Sequence, residues 1–165
     1  MDSFGIPPQR KPLNTEEDPD TPIPSLPRRT ANPRRGVHTA TFGSQPSQVS
    51  QIRAWCRKGI PVDPLRALRV ETVASELVTN ALAHSASGQV GGRIRVEMEP
   101  LTNRLIRIAV TDDGPRTDRP ITLPHLPSQT NTWAEHGRGL HLVDRLSEAW
   151  GWEGKLGRPS TVWAN

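Results

Sequence analysis

Arg93-Ile94-Arg95-Val96-Glu97-Met98-Glu99 alternates charged and apolar residues without a break, the period of a strand with one face buried and the other wet. Leu101-Thr102-Asn103 turns the chain, and Leu105 to Asp112 returns with Ile106, Ile108 and Val110 in one row. Two half-buried strands joined by so short a turn predict an antiparallel hairpin. Asp112 is in phase with the apolar row, so a carboxylate emerges at the end of a core-facing surface.

Upstream of the hairpin, Val37 to Phe42 alternates weakly and predicts a first strand. Ser44, Pro46 and Ser47 open a helix in which Val49, Ile52, Trp55 and Cys56 recur at helical spacing. Asp63 before Pro64 is an N-cap followed by proline at the first helical position. From there Leu65, Leu68, Val73, Leu77, Val78, Ala81 and Leu82 trace a long amphipathic helix ending near Ser85 to Gly88. Both helices are expected on the same sheet face.

Downstream, residues 115–136 lack periodicity and carry Pro115, Pro120, Pro124 and Pro127. So long an irregular stretch inside a compact domain reads as a functional loop or lid. Gly139 to Glu148 is the next helix, and Ala149 to Glu153 and Ser160 to Ala164 are strands around the turn Gly154-Lys155-Leu156-Gly157. Strand, helix, helix, strand, strand, lid, helix, strand, strand predicts an α+β fold: a two-layer sandwich with helices on one face of a mainly antiparallel mixed sheet. Single helices alternating with strands, the mark of a parallel dinucleotide-binding sheet, are absent.

The 165 residues suit one domain plus a tail. Residues 1–36 hold eight of the 17 prolines and isolated apolar residues, too little to bury against chain entropy, so this segment is expected to be a disordered tail before a domain spanning 37–165. The net charge of +4 divides into six basic and five acidic residues in the tail and fifteen and twelve in the rest. No basic face is singled out, and with no Tyr and two Phe the stacking platforms for single strands are scarce. Direct nucleic-acid binding is therefore not expected. Cys56 stands alone and reads as a small core hydrophobe suited to a reducing cytoplasm. The N-terminus lacks an apolar signal stretch, and no apolar run of about 18 residues occurs.

Three islands carry the chemistry: Glu76-Leu77-Val78-Thr79-Asn80, Asp112-Asp113-Gly114 and Gly137-Arg138-Gly139. Glu76, Asn80 and His84 recur at four-residue steps and form one polar face on an otherwise apolar helix. The glycine pair opens a helix, where free backbone N–H groups can receive phosphate oxygens. Together they read as a nucleotide site, although no glycine-rich phosphate loop ending in Lys-Ser or Lys-Thr is present. Taken singly, each has a plainer reading: an asparagine bonded from helix to loop, an exposed helix glutamate, an Asp-Gly turn, a glycine-rich helix start. His84 reads as a surface histidine, since no second ligand stands beside it at metal spacing.

In order and character the islands resemble the N, G1 and G2 boxes of the GHKL, or Bergerat-fold, ATPases, which include gyrase, the heat-shock chaperone and histidine kinases. Glu76-Leu77-Val78-Thr79-Asn80-Ala81, Gly137-Arg138-Gly139-Leu140 leading to Val143-Asp144, Trp150-Gly151-Trp152 and Thr161-Val162-Trp163 resemble the small anti-sigma serine/threonine kinase branch in particular. The resemblance runs from about Val37 to the C-terminus and implies a histidine-kinase-like ATPase fold with ATP and Mg2+ as cofactors. It implies Asn80 as the metal ligand, which suits magnesium because that ion keeps its waters and takes few protein oxygens. Glu76 would be the general base of catalysis. Asp112 would accept from the exocyclic amine of adenine, where guanine presents an oxygen; Asp113 is the rival but points off the core row. Gly114 would permit the turn beneath the base, Gly137 and Gly139 the approach of backbone to phosphate, Leu140 the anchoring of the helix, and Thr161 the support of Asp112. Arg116 stands where the family has its second G1 glycine. Glu135 and His136 of the lid are left outside the core site.

The resemblance further implies a cytoplasmic protein that phosphorylates a serine of an antagonist (anti-anti-sigma) protein and binds a sigma factor. Self-association as a homodimer is compatible with it. The rival expectation is a non-catalytic, ATP-responsive binding module whose lid opens and closes on a partner. Neither a transducer domain after Asn165 nor a histidine-bearing dimerisation helix before Val37 is seen in the sequence, so a gyrase-like motor or a complete sensor histidine kinase is not expected.

Overall fold

The computed structural model describes residues 36–59, 61–124 and 138–165. The elements are β1 (His38–Gly43), α1 (Gln48–Gly59), α2 (Pro64–His84), a single 3-10 turn (Ala86–Gly88), β2 (Arg93–Pro100), β3 (Ile106–Thr111), α3 (Arg138–Leu146), β4 (Trp150–Gly154) and β5 (Ser160–Ala164). The strands lie in the order β1-β2-β3-β5-β4, and every pairing is antiparallel. The fold is α+β, as the element order predicts. The sheet departs from the expected mixed one because each neighbouring pair is reached by a reversal of direction.

Strand period sorts the sheet residues between the faces. Ile94, Val96 and Met98 of β2 are fully buried, and Val96 and Met98 sit opposite Val110 and Ile108 of β3. Val162 and Ala164 of β5 extend the row. Burial of each such side chain stabilises the fold by about 1.5–3 kcal/mol before chain entropy is counted. The other face carries Arg95, Glu97, Arg107, Thr111, Thr161 and Trp163, with the Arg107 guanidinium 4.3 Å from the centre of the Trp163 ring, a cation–π contact that keeps the wet face ordered.

The helices close the apolar face. The carboxylate of Asp63 accepts from Arg66 N at 3.0 Å, and Pro64 follows, so α2 starts where the sequence predicts. Val73, Ala74, Leu77, Val78 and Ala81 are its buried side. α1 packs alongside through Ile52 and Cys56, and Trp55 meets Phe42 of β1 edge to face at 6.0 Å. α1 begins at Gln48, later than Ser44, because Pro46 and Ser47 belong to the turn that delivers it: Val49 N bonds Pro46 O, and the Gln48 side chain accepts from Gly43 N at 2.6 Å. A polar clamp joins the two helices. Arg57 forms a two-pronged ion pair with the buried Glu71 at 2.8 and 2.7 Å, and Arg53 Nε donates to the buried Ser75 Oγ at 2.6 Å. The guanidinium of Arg57 holds the Glu71 carboxyl below its usual range. Among the described residues, no helix is long and apolar enough to cross a membrane. The expected tail lies outside the described residues except for Gly36.

Candidate nucleotide-binding site

α2 is the spine of the site. Its sheet-facing side is filled by Leu77, Val78 and Ala81, which leaves Glu76 and Asn80 half-buried on the side toward α3. Neither side chain has a hydrogen-bond partner among the described residues. Glu76 lies directly against the start of α3: a β-carbon at Gly139 would come within 2.6 Å of Glu76 Oε2. A side chain there would displace the Glu76 carboxylate, so glycine lets the first turn of one helix approach the carboxylate of another. Leu140, the next residue, is buried in the core with Val143 and fixes α3 on α2. Gly137, Glu135 and His136 lie outside the described residues, as does most of the expected lid.

Asp112 stands where β3 ends, in phase with Val110 as the alternation requires. Its Oδ1 accepts from Gly114 N at 2.7 Å and Ser160 N at 3.0 Å, and its Oδ2 accepts from Ser160 Oγ at 2.7 Å. A carboxylate offers about four acceptor positions. Three are taken, and Oδ2 keeps one for a ligand. Gly114 has φ +94°, and a β-carbon on it would press to 3.2 Å from Pro159 N, so only glycine makes this turn without strain. Asp113 is exposed and structural: its Oδ2 accepts from Arg93 N at 2.6 Å, away from the site.

Thr161 is not the support of Asp112. Counting back from the buried Ala164 and Val162 puts Ser160 on the Asp112 face and Thr161 on the opposite one, where its Oγ1 lies 2.8 Å from Thr111 Oγ1. The phase of β5 puts Ser160 on the face of Val162 and Ala164, as the phase of β3 puts Asp112 on the face of Val110.

The junction between α2 and the turn after β3 holds the two halves of the site together. Ala86 N donates to Gly114 O at 2.8 Å, and Ser85 bridges Pro115. Ser85 and Ser87 are buried, and the Ser87 hydroxyl accepts from Asp113 N and donates to Arg93 O. His84, at the end of the polar stripe, and Asp112 both line a half-open cleft closed by Trp152, Ile121 and Leu123. Asn80 lies four residues, about 6 Å of helix rise, before His84, so the stripe leads from the cleft to Glu76 and the α3 N-terminus. Trp152, Ser160 and the cations Lys155 and Arg158 also line this cleft and are not among the site residues expected from the sequence. At the start of the lid Arg116 pairs locally with Asp118 at 2.8 and 2.7 Å and holds its carboxyl down at about 2.

A carboxylate with an acceptor position to spare, joined by a polar helix stripe to a helix N-terminus, supplies acceptors at one end for a base amine and backbone donors at the other for phosphates. Residues 42–158 match the family described as histidine kinase-like ATPase domain. The chain belongs to that family. This domain is of the ATP-binding type, and the match takes in the three islands, the lid and the strand that carries Trp152. No match to a curated protein was found.

Other chemistries are poorly served. Burial pushes the Cys56 thiol up to about 12, so it is no nucleophile at neutral pH. Among the described residues no three His, Cys, Asp or Glu side chains gather as a metal cage. The half-buried Asn80 amide oxygen, without a hydrogen-bond partner among the described residues, is a hard ligand of the type that magnesium takes singly.

Proposed function

We propose that this chain is a serine/threonine protein kinase of the anti-sigma regulatory kind, transferring the γ-phosphate of ATP to a serine of an antagonist protein and binding a sigma factor. The observation that carries the catalytic part is the Glu76 carboxylate, which has no hydrogen-bond partner among the described residues and lies one helical turn from Asn80 against the first turn of α3. The sigma factor and antagonist as partners rest on the resemblance of the motifs, and the cytoplasmic setting on the lone buried Cys56.

In this reading Asp112 receives the adenine amine, and the backbone at Gly139 admits the phosphates. Asn80 would hold magnesium through its amide oxygen, and the ion would offset charge on the triphosphate. The serine hydroxyl oxygen attacks the γ-phosphorus and a new P–O bond forms. Its proton passes to Glu76, the bond to the β–γ bridging oxygen breaks, and ADP leaves with that electron pair. Positioning dominates such a reaction, so a base that no other group engages is the feature to look for.

The second reading, an ATP-responsive binding module without chemistry, draws on Arg116: its grip on Asp118 stiffens the start of the lid where a glycine would leave it free. Incubation with labelled ATP, magnesium and candidate antagonist proteins separates the two. Label on a partner serine is the result the kinase predicts, and tight ATP binding with no transfer to any candidate would favour the binding module.

A further inference from the structure

The sheet ends on β1 at one side and on β4 at the other. β4 carries Glu153 and ends on Gly154 at φ +146°. A charge and an irregular terminus keep an edge strand from pairing further. β1 has neither device. His38-Thr39-Ala40-Thr41-Phe42-Gly43 holds no Lys, Arg, Asp, Glu or Pro, and no bulge interrupts its register with β2.

The direction of the β1 backbone follows from its neighbours. Arg93 N donates to Asp113 Oδ2 and Arg93 O accepts from Ser87 Oγ, so the polar backbone of Arg93 points away from Gly43, its cross-strand neighbour in β1. Gly43 N accordingly donates to Gln48 Oε1 and not to β2. Direction alternates along an antiparallel strand. Phe42, Ala40 and His38 therefore bond to β2, whereas Thr41 and Thr39 direct their N–H and C=O groups out of the sheet, where they have no partner among the described residues. Both threonines are exposed, and an extended chain laid along this edge would satisfy them.

The edge itself selects that chain. Thr39-Ala40-Thr41 reads the same in both directions, so a two-fold axis through Ala40 sets Thr39 opposite Thr41 of a second copy, and Thr41 opposite its Thr39. Each of these pairs exchanges two N–H···O bonds, about four in all, and threonines facing each other across strands are favourable neighbours. Ala40 then meets its own copy in the close, non-hydrogen-bonded position, with Cα atoms about 4.5 Å apart, where a small side chain fits. On the core face His38 comes opposite Phe42 of the second copy, next to the half-buried Trp55 that meets Phe42 at 6.0 Å, and these rings supply apolar area at the seam. Gln48 closes the outward N–H of Gly43, which confines the pairing to this register.

We propose that β1 is a self-association edge, at which two copies of this chain pair antiparallel through Thr39-Ala40-Thr41 and join their five-stranded sheets into one. β2 stands between β1 and the strands that build the nucleotide cleft, so both clefts stay open. The inference stands whether or not the chain transfers phosphate.

Sedimentation equilibrium of the full chain from about 1 to 500 µM, paired with amide hydrogen exchange, tests the edge. A monomer–dimer equilibrium with Kd in the micromolar range is expected, and the Thr39 and Thr41 N–H groups should gain protection as concentration rises. Thr39→Lys combined with Thr41→Lys sets like charges across both pairs and should raise the dimer Kd at least about tenfold, while the Tm of the dilute monomer and the ATP affinity hold. Ala40→Cys should oxidise to a disulfide-linked dimer, because the spacing on the axis lies within the span of about 4.4–6.8 Å that a disulfide bridges. Cys56 does not compete, being buried with its thiol pushed up to about 12. A chain still monomeric at the highest concentration, a dimer indifferent to the double lysine variant, or Ala40→Cys that resists cross-linking would each overturn the proposal. So would equal protection of Thr39 and Thr41 at every concentration, which would mean that the chain covers its own edge.

Discussion

Asp112→Asn is the substitution whose consequences the geometry constrains most closely. Two backbone N–H groups, from Gly114 and Ser160, converge on Oδ1. The asparagine amide is therefore forced to place its oxygen there and its NH2 where Oδ2 was. Ser160 Oγ, 2.7 Å from that position, can rotate its hydroxyl and accept instead of donate. The fold thus keeps its three contacts and loses only their charge-assisted part, on the order of 1 kcal/mol. The base fares worse, because the adenine amine now faces a donor. An unpaired buried donor costs about 1–3 kcal/mol, which corresponds to roughly 5- to 150-fold in Kd. GTP presents an oxygen at the same place, so its affinity should fall less or rise. Calorimetric titration of both nucleotides, with a melting curve on each protein, reads the two effects apart. An ATP-to-GTP affinity ratio equal to that of the unmodified protein would refute the assignment of Asp112 to the base.

Ser160→Ala removes one donor from Asp112 and should weaken ATP by several-fold in the same titration, whereas Thr161→Val, on the far face of the sheet, should leave ATP affinity unchanged within about twofold. Gly139→Ala places a β-carbon against Glu76 Oε2; since the atom it meets is the end of a flexible side chain, the Tm should hold or rise by helix propensity while phosphotransfer rates fall at least about tenfold. Arg57→Ala strands the buried Glu71 carboxylate and should lower stability at pH 7 in denaturant titrations, by less than for a fully buried pair because Arg57 is two-thirds exposed. The folded carboxyl of Glu71 is depressed from 4.5, so the clamp's contribution is complete above that pH and is lost as pH falls below it; the gap between Arg57→Ala and the unmodified protein should narrow at pH 3.

Where the chain's own periodicity speaks, the sequence was sufficient. The alternation of Arg93 to Glu99 specified which β2 side chains are buried, and Asp63-Pro64 marked the first turn of α2. Asp112 and Gly114 were placed by phase and by turn chemistry. Contacts between segments distant in the chain were not visible. Glu71 and Arg57 read as ordinary helix charges until α1 lies on α2. The pairing of Asp112 with Ser160 spans 48 residues; resemblance pointed to the neighbouring threonine, and strand register decided against it. The late start of α1 reflects a local contest, in which the Gln48 side chain and Pro46 hold the preceding residues in a turn.

The central claim is that Glu76 takes the proton of an attacking serine. Glu76→Gln keeps the size of the side chain against Gly139 and removes its basic oxygen, so single-turnover transfer from labelled ATP to an antagonist serine is the most direct measurement. The account predicts ATP affinity within a few-fold of normal and transfer slowed by roughly 10²–10⁴, the usual contribution of a positioned base. Transfer at an undiminished rate would contradict it.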